Sequence, residues 1–360
     1  MATALSPMRY ATTNDGVRIA YISVGDGLPL VFASNIFGDA SRYDGGHPHV
    51  REVTDRLVHL GWRVIRYDHR GMGASDRNVA DLGLAARVRD LKAVVGALNL
   101  DRFALGGLDV GAATAVAYAV EHPATVLRMV LLSPWTSGAR HLQLPALRAA
   151  FSAEATGDHE RRLFANILES VASGFKDPEY VRRATAVFLR ATSPEALSAF
   201  NAASARIDLT DLLPRVTAPT LVTHEAPFPF GSFELCQEVA AAIPRAEFLV
   251  VNENSIAGRE HNENVAAIDR FLRAGTTSSV SATTTATDAP PYADALTPRE
   301  IEVLQQVASG ATNKEIAAHL GVAVSTVERH LVNLYTKIGA RGRADAVAYA
   351  LRSRQHHRPS

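Results

Sequence analysis

Short apolar runs alternate with longer amphipathic stretches over most of the chain. The runs Arg18–Val24, Leu30–Ala33, Arg63–Asp68, Arg102–Gly106, Met129–Leu132, Thr220–His224 and Glu247–Val251 predict strands. Several are apolar at nearly every position, as expected where helices cover both faces of a sheet. Between them, stretches such as Leu84–Leu98 and Gly111–Glu121 carry a helical period. This alternation predicts an α/β fold with a mainly parallel sheet. The rhythm breaks from about Trp135 to Pro214, where Phe151, Leu163, Phe164, Ile167, Leu168, Phe188 and Leu189 recur at helical spacings. Residues of about 136–214 therefore predict an all-helical cap over the sheet.

Residues 275–294, GTTSSVSATTTATDAPPYAD, have almost nothing to bury and predict a flexible linker. It separates residues 1–274 from residues 295–360, and the second segment predicts an all-α unit of four helices. Thr297 is a helix cap, Pro298 stands at the first helical position and Glu300 completes a capping box. Ile301, Leu304 and Val307 form the buried stripe, and Gly310 ends the helix. Thr312 caps a second helix, Asn313–Leu320. The turn Gly321-Val322-Ala323-Val324 leads to Ser325, which caps a third, Thr326–Ile338. A short helix, a tight turn and a second helix make a helix-turn-helix arrangement.

Composition adds boundaries to this picture. A chain of 360 residues suits about two domains, and 47% hydrophobic content is enough to fill their cores. No apolar run is long enough to span a bilayer, and Met1–Arg9 lacks an export pattern, so no membrane partner is expected. One cysteine, Cys236, excludes an internal disulfide framework and a multi-cysteine metal site, which fits a reducing cytoplasm. The net charge of zero conceals an asymmetry. From residue 295 onward nine Lys and Arg face five Asp and Glu, whereas the rest holds twenty-eight basic and thirty-two acidic residues. A small basic unit on a larger acidic one suits a nucleic-acid-binding module joined to a sensor.

Capping and charge alone leave open a helical bundle used for protein contact. The motifs LTPRE, G-x-x-N-K-E-I-A, S-T-V-x-x-H and the final AVAYALR decide more, because Leu296–Arg352 resembles the LuxR/NarL-type DNA-binding domain along its whole length. The resemblance implies double-stranded DNA as partner, with Thr326–Ile338 as the recognition helix. Glu328, Arg329, Val332 and Asn333, opposite Val327, Leu331 and Leu334, are then the candidates for base edges. Thr312, Asn313, Lys314, Ser325, Thr326, His330 and Lys337 would lie nearer the phosphates. The last helix, Arg343–Leu351, implies a homodimer on DNA, and the location implied is cytoplasmic and nucleoid-associated.

The larger segment resembles the α/β-hydrolase fold over about residues 9–273. Asn14-Asp15-Gly16 resembles its opening hairpin, and Tyr67–Ser75 carries its D-x-R-G-x-G-x-S loop. Gly107-Leu108-Asp109-Val110-Gly111 has the spacing of its nucleophile elbow. The elbow centre is Asp109 where serine is usual. A carboxylate can attack carbon to give an ester, but the rest of that chemistry is missing from its usual places. Glu225 follows the Thr220–His224 run directly, in place of the usual acid turn. Ser133-Pro134-Trp135 holds no alternative acid. Asn252-Glu253-Asn254-Ser255-Ile256 lacks the expected histidine, and His261 comes late. Ser34-Asn35 replaces the usual His-Gly, and Val110 follows the aspartate.

These departures imply a hydrolase frame without turnover: not an enzyme, and without cofactor or metal. His69 is read as structural, and His47 and His49 are read in a surface loop around Pro48. The expected ligand site comprises Ser34, Asn35, Ile36, Asp109, Val110, Trp135, Phe228, Phe230 and Asn254, around a small, mostly apolar effector. Asp109 has a second reading, as the cap of the helix that follows it. An active hydrolase with Asp109 as nucleophile and a ligand-free dimerisation scaffold also remain open.

Overall fold

The computed structural model describes residues 7–33, 40–44, 48–145, 147–148, 158–172, 178–226, 230–252, 261–274, 302–304, 306–307, 311, 313–320, 327, 331 and 334. The chain divides into two units, Met1–Ser279 and Val280–Ser360. The expected linker, 275–294, lies outside the described residues.

The first unit is built on eight strands: β1 (Arg9–Thr12), β2 (Arg18–Val24), β3 (Leu28–Ala33), β4 (Trp62–Tyr67), β5 (Phe103–Leu108), β6 (Val126–Leu132), β7 (Thr220–Ala226) and β8 (Ala246–Asn252). They form one sheet in the order β1-β2-β4-β3-β5-β6-β7-β8, in which β2 runs antiparallel to both neighbours and β3 to β8 are parallel. Every strand expected from the apolar runs is present. One further strand, β1, exposes three of its four residues and so shows no apolar pattern, and it forms with β2 the hairpin expected around Asn14-Asp15-Gly16.

Alternate side chains of the strands enter two cores, as the pleat requires. Val31, Ile65, Leu105, Met129, Leu131 and Val222 face α3 (Leu84–Ala97), α4 (Val110–Glu121) and α9 (Phe233–Ala242). Leu30, Phe32, Val64, Ala104, Val130 and Leu221 face α2 (Pro48–His59) and α10 (His261–Arg273). A short α1 (Ala40–Asp44) precedes α2. The segment read as a loop around Pro48 is in fact the start of α2, because proline suits the first helical position, where its missing N–H leaves no bond unmade. His49 stands in that first turn, while His47 lies outside the described residues.

Between β6 and β7 come α5 (Gly138–Leu142), α6 (Asp158–Ala172), α7 (Pro178–Ala191) and α8 (Pro194–Ser204), the helices of the insertion. Ala165, Leu168 and Phe188 give it a small core of its own. The Tyr67–Ser75 loop follows β4 at the end of the sheet where the parallel strand β5 also ends. Asp68 accepts hydrogen bonds from the N–H of Ser41 at 3.1 Å and of Ala74 at 2.9 Å, and buried Arg70 pairs with both Asp90 and Asp15 at 2.8 Å. Buried His69 packs between Tyr67 and Phe200, which fits the structural role read for it.

In the second unit α11 (Asn313–Leu320) is described, with helical turns at 302–304 and 306–307. Val303, Leu304, Val307, Ile316, Ala317, Val327, Leu331 and Leu334 form its core. Among the described residues of the chain, no helix is long and apolar enough to cross a membrane.

Candidate functional site

The site is set by what β5 must do at its end. The strand lies between β3 and β6, and its chain must reverse within one residue to start α4. Asp109 makes that turn at φ 53° and ψ −118°, backbone that a non-glycine residue adopts only under strain. Two bonds hold it there: Asp109 N–H donates to Leu132 O and Ala112 N–H donates to Asp109 O, each at 2.9 Å. Glycine is required beside it, since a Cβ on Gly107 would stand 2.6 Å from Gly111 O.

Asp109 is the first residue of the helix boundary, yet its side chain makes no hydrogen bond to α4. The reading of Asp109 as a helix cap is thereby corrected. Its Oδ1 instead accepts from Trp135 Nε1–H at 2.7 Å and lies 2.9 Å from His141 Nε2. Trp135 is 2% exposed and its ring stacks on His141, with centroids 5.4 Å apart and planes 21° apart. Burial alone would raise the Asp109 pKa. The electrostatic pull and hydrogen bond of His141, the Trp135 N–H and the charge of Arg87 outweigh it, so the carboxyl is held below its ordinary range.

His141 reaches Asp109 because the foot of the insertion is tied down on all sides. Leu209 N–H donates to Thr136 O at 2.8 Å, and Gly138 N–H donates to Ile207 O at 2.9 Å. A side chain at Gly138 would overlap the Ser204 carbonyl, so α5 sits directly on the end of α8. The neighbour of His141, Arg140, points the other way and forms a two-pronged pair with Glu238 of α9 at 2.6 and 2.8 Å.

Arg87 of α3 is the other charge in reach. It is fully buried, donates from Nε to Leu82 O at 2.9 Å and from Nη2 to Ser204 Oγ at 3.0 Å, and lies 3.8 Å above the Phe200 ring. Its Nη1 finds no partner among the described residues. Burial lowers its pKa to about 10, which still leaves it protonated at neutral pH.

Of the residues expected to form the site, the structure brings Asp109 and Trp135 together. Val110 begins α4 and is buried in the main core. Phe230 packs against the core of the insertion, a cluster separate from that of Trp135. Ser34, Asn35, Ile36, Phe228 and Asn254 lie outside the described residues; β3 ends at Ala33 beside Gly107, just before the first three. Glu225 is corrected from a turn position to a strand position, since β7 runs on through Ala226 and pairs Glu225 with Val251. His261 opens α10. Cys236 and His224 lie 3.8 Å apart, but burial pushes the thiol up to about 12 and lowers the histidine, so at neutral pH the sulfur is not a nucleophile.

Of the expected DNA-contacting residues, Asn313 and Lys314 open α11. Thr312, Ser325, Thr326, Glu328, Arg329, His330, Val332, Asn333 and Lys337 lie outside the described residues. The buried trio Val327, Leu331 and Leu334 has the spacing of one helix face turned to the core.

An α/β sheet with an aspartate-centred elbow, joined to a small helical unit, defines the class of protein. Residues 43–222 match the alpha/beta hydrolase fold family, and the chain belongs to it. Residues 294–350 match the bacterial regulatory proteins of the luxR family, so the hydrolase-fold unit is joined to a LuxR-type helix-turn-helix domain. Over 66 residues the chain is 50% identical to "Probable transcriptional regulatory protein NarL" of Mycobacterium tuberculosis, a match covering 18% of this chain and 31% of that relative. The chain thus spans about a third of the curated regulators it matches first. In structure it is similar to the esterase RhEst1 from Rhodococcus sp. ECU1013, with a TM-score of 0.63, 20% identity and coverage of 74% of this chain and 99% of that one. The esterase EaEST from Exiguobacterium antarcticum gives a TM-score of 0.62 at 18% identity, covering 73% and 98%.

Proposed function

We propose that the protein is a one-component transcriptional regulator in which a hydrolase-fold receptor binds a small molecule and alters the affinity of a dimer for DNA. The single observation that carries this reading is the union, in one chain, of a LuxR-family domain with a hydrolase elbow whose aspartate is engaged by Trp135 and His141. Asp109 Oδ1 is engaged by both Trp135 and His141, so the insertion holds the carboxylate in one orientation as a fixed acceptor.

The receptor reading requires unequal binding of the effector to two arrangements of the protein, since only differential affinity can shift DNA binding. It is tested by screening the whole protein for ligands by thermal shift and repeating DNA-binding measurements with each hit. Ligands that bind tightly while DNA affinity stays constant would defeat it. DNA binding itself should be strongly salt-dependent, because a basic module displaces counterions from phosphate. The helical period opposite Val327, Leu331 and Leu334 supports reading Glu328, Arg329, Val332 and Asn333 as the base contacts.

One observation favours a second reading, an active hydrolase. A histidine does stand beside the elbow aspartate, 2.9 Å away, although it comes from α5 and not from the segment after β8. In this reading Oδ2 displaces a leaving group from carbon to give an ester whose carbonyl oxygen is Oδ1, and Trp135 and His141 stabilise the charge that returns to Oδ1 when water adds to that ester. Incubation with haloalkane, epoxide and aryl ester panels decides between the two. Turnover abolished by Asp109→Ala would establish the enzyme, whereas no turnover across the panels favours the receptor.

A further inference from the structure

The two oxygens of Asp109 are not equivalent. Both bonds made by the carboxylate converge on Oδ1, from Trp135 and from His141. Among the described residues Oδ2 accepts nothing, and it is not one of the buried polar atoms sealed off by neighbours. Val110, Ser133, Trp135 and Gly138 around it are buried, yet 23% of the Asp109 side-chain surface remains accessible. Oδ2 is thus the carboxylate oxygen left to take a donor. An ionised oxygen in such a place demands a donor, because an unmet charged acceptor costs more than a neutral one.

The charge around it selects which donor. Asp109 already has His141 in contact and the buried cation Arg87 within electrostatic reach. An ammonium group would have to shed its water beside that cation. A carboxylate or phosphate would meet Oδ2 head-on and be repelled. A neutral N–H or O–H suffers neither penalty.

We infer that the effector is an uncharged molecule that donates one hydrogen bond, from a hydroxyl or an amide N–H, to Oδ2 of Asp109, while Trp135 and His141 hold Oδ1. The inference rests on the receptor reading above and narrows it to a ligand class.

The test uses the full-length protein, calorimetric titration and matched probes on a hexyl and a benzyl body. Each body carries in turn a hydroxyl, a primary amide, a methyl ether, an ammonium or a carboxylate. The alcohol and amide should bind at least tenfold more tightly than the ether, and more tightly than either charged probe. Asp109→Asn supplies the control. Trp135 and His141 keep the amide oxygen in the place of Oδ1, so the NH2 takes the place of Oδ2 and donates. Hydroxyl and ether oxygens both accept, so that variant should lose the preference and bind alcohol and ether alike, with its fold verified by thermal unfolding. Tightest binding by the ammonium or the carboxylate, or equal binding of alcohol and ether to the unmodified protein, would overturn the ligand class and leave the receptor reading standing. Binding of no probe to either protein would remove the receptor reading itself.

Discussion

At Asp109 a carboxylate, a positive φ and a helix start coincide, and each bears on what a substitution there does. Asp109→Ala removes the acceptor of two hydrogen bonds, strands the buried Trp135 N–H and keeps the strained backbone. Hydrogen bonds to charged groups are worth about 1.5–3 kcal/mol each, so a loss of about 3 kcal/mol is expected in urea unfolding. Asp109→Gly should lose about 1 kcal/mol less, because glycine adopts positive φ freely. The pH dependence has a definite sign. The folded carboxyl titrates below its ordinary value, so its stabilisation is complete above the unfolded pKa of about 3.9 and is lost as pH falls through the lower folded value. The stability gap between the native protein and Asp109→Asn should therefore close as the pH falls below about 4, as urea unfolding across that range would show. The elbow was legible from the spacing of Gly107, Asp109 and Gly111. Its partner His141 was not, because only the packing of α5 against α8 brings it there. Arg87 did leave a signal: a charged residue at an apolar position of the period Leu84, Leu91, Val94, Leu98.

Among the elements, the join of α3 to the hairpin and the β4 loop depends on a buried charge cluster. Burial lifts the Asp90 carboxyl above its ordinary range despite the attraction of Arg70. Arg70→Met would leave Asp90 unmatched and should cost about 3–5 kcal/mol at pH 7. The deficit should shrink at pH 5, where protonation relieves the stranded charge, and adding Asp90→Leu should restore most of the loss. Urea unfolding of the three proteins at both pH values checks this. Gly107→Ala tests the strand-to-helix crossing. Its methyl collides with backbone that has nowhere to move, so a cost of about 3 kcal/mol in the same measurement is expected. Element types were legible wherever strands were apolar on both faces. Helix α2 escaped because two histidines around a proline suggest a turn, although Pro48 is itself a helix-start signal. The extra length of β7 escaped because His224 and Glu225 are polar, and pairing to β8 rather than hydrophobicity keeps them in the strand.

For the whole molecule, the division of labour was written in composition: an acidic, strand-bearing body and a basic, cap-rich helical tail. Those properties are local and survive without knowledge of contacts. Any coupling between the two units is a property of the assembled chain, and no stretch of sequence encodes it alone. Two substitutions in the tail should behave differently on DNA. Lys314→Ala should weaken binding to every duplex and reduce the salt slope by about 1, as loss of one phosphate contact requires. Arg329→Ala should relax sequence preference by about 1–3 kcal/mol per affected base pair. Titrations of specific and random duplexes at several salt concentrations separate the two. Uniform weakening in both variants would place the reading helix wrongly.

The residues preceding Asp109 carry a longer consequence. A side chain on Gly106 would collide with the ring of Phe32 at 2.7 Å, and one on Gly107 with the backbone of α4. Both positions are therefore held to glycine, and the strand end beneath the aspartate is closed to retuning by substitution. A change in what surrounds Asp109 has to come from the segment between β6 and β7, which supplies Trp135 and His141.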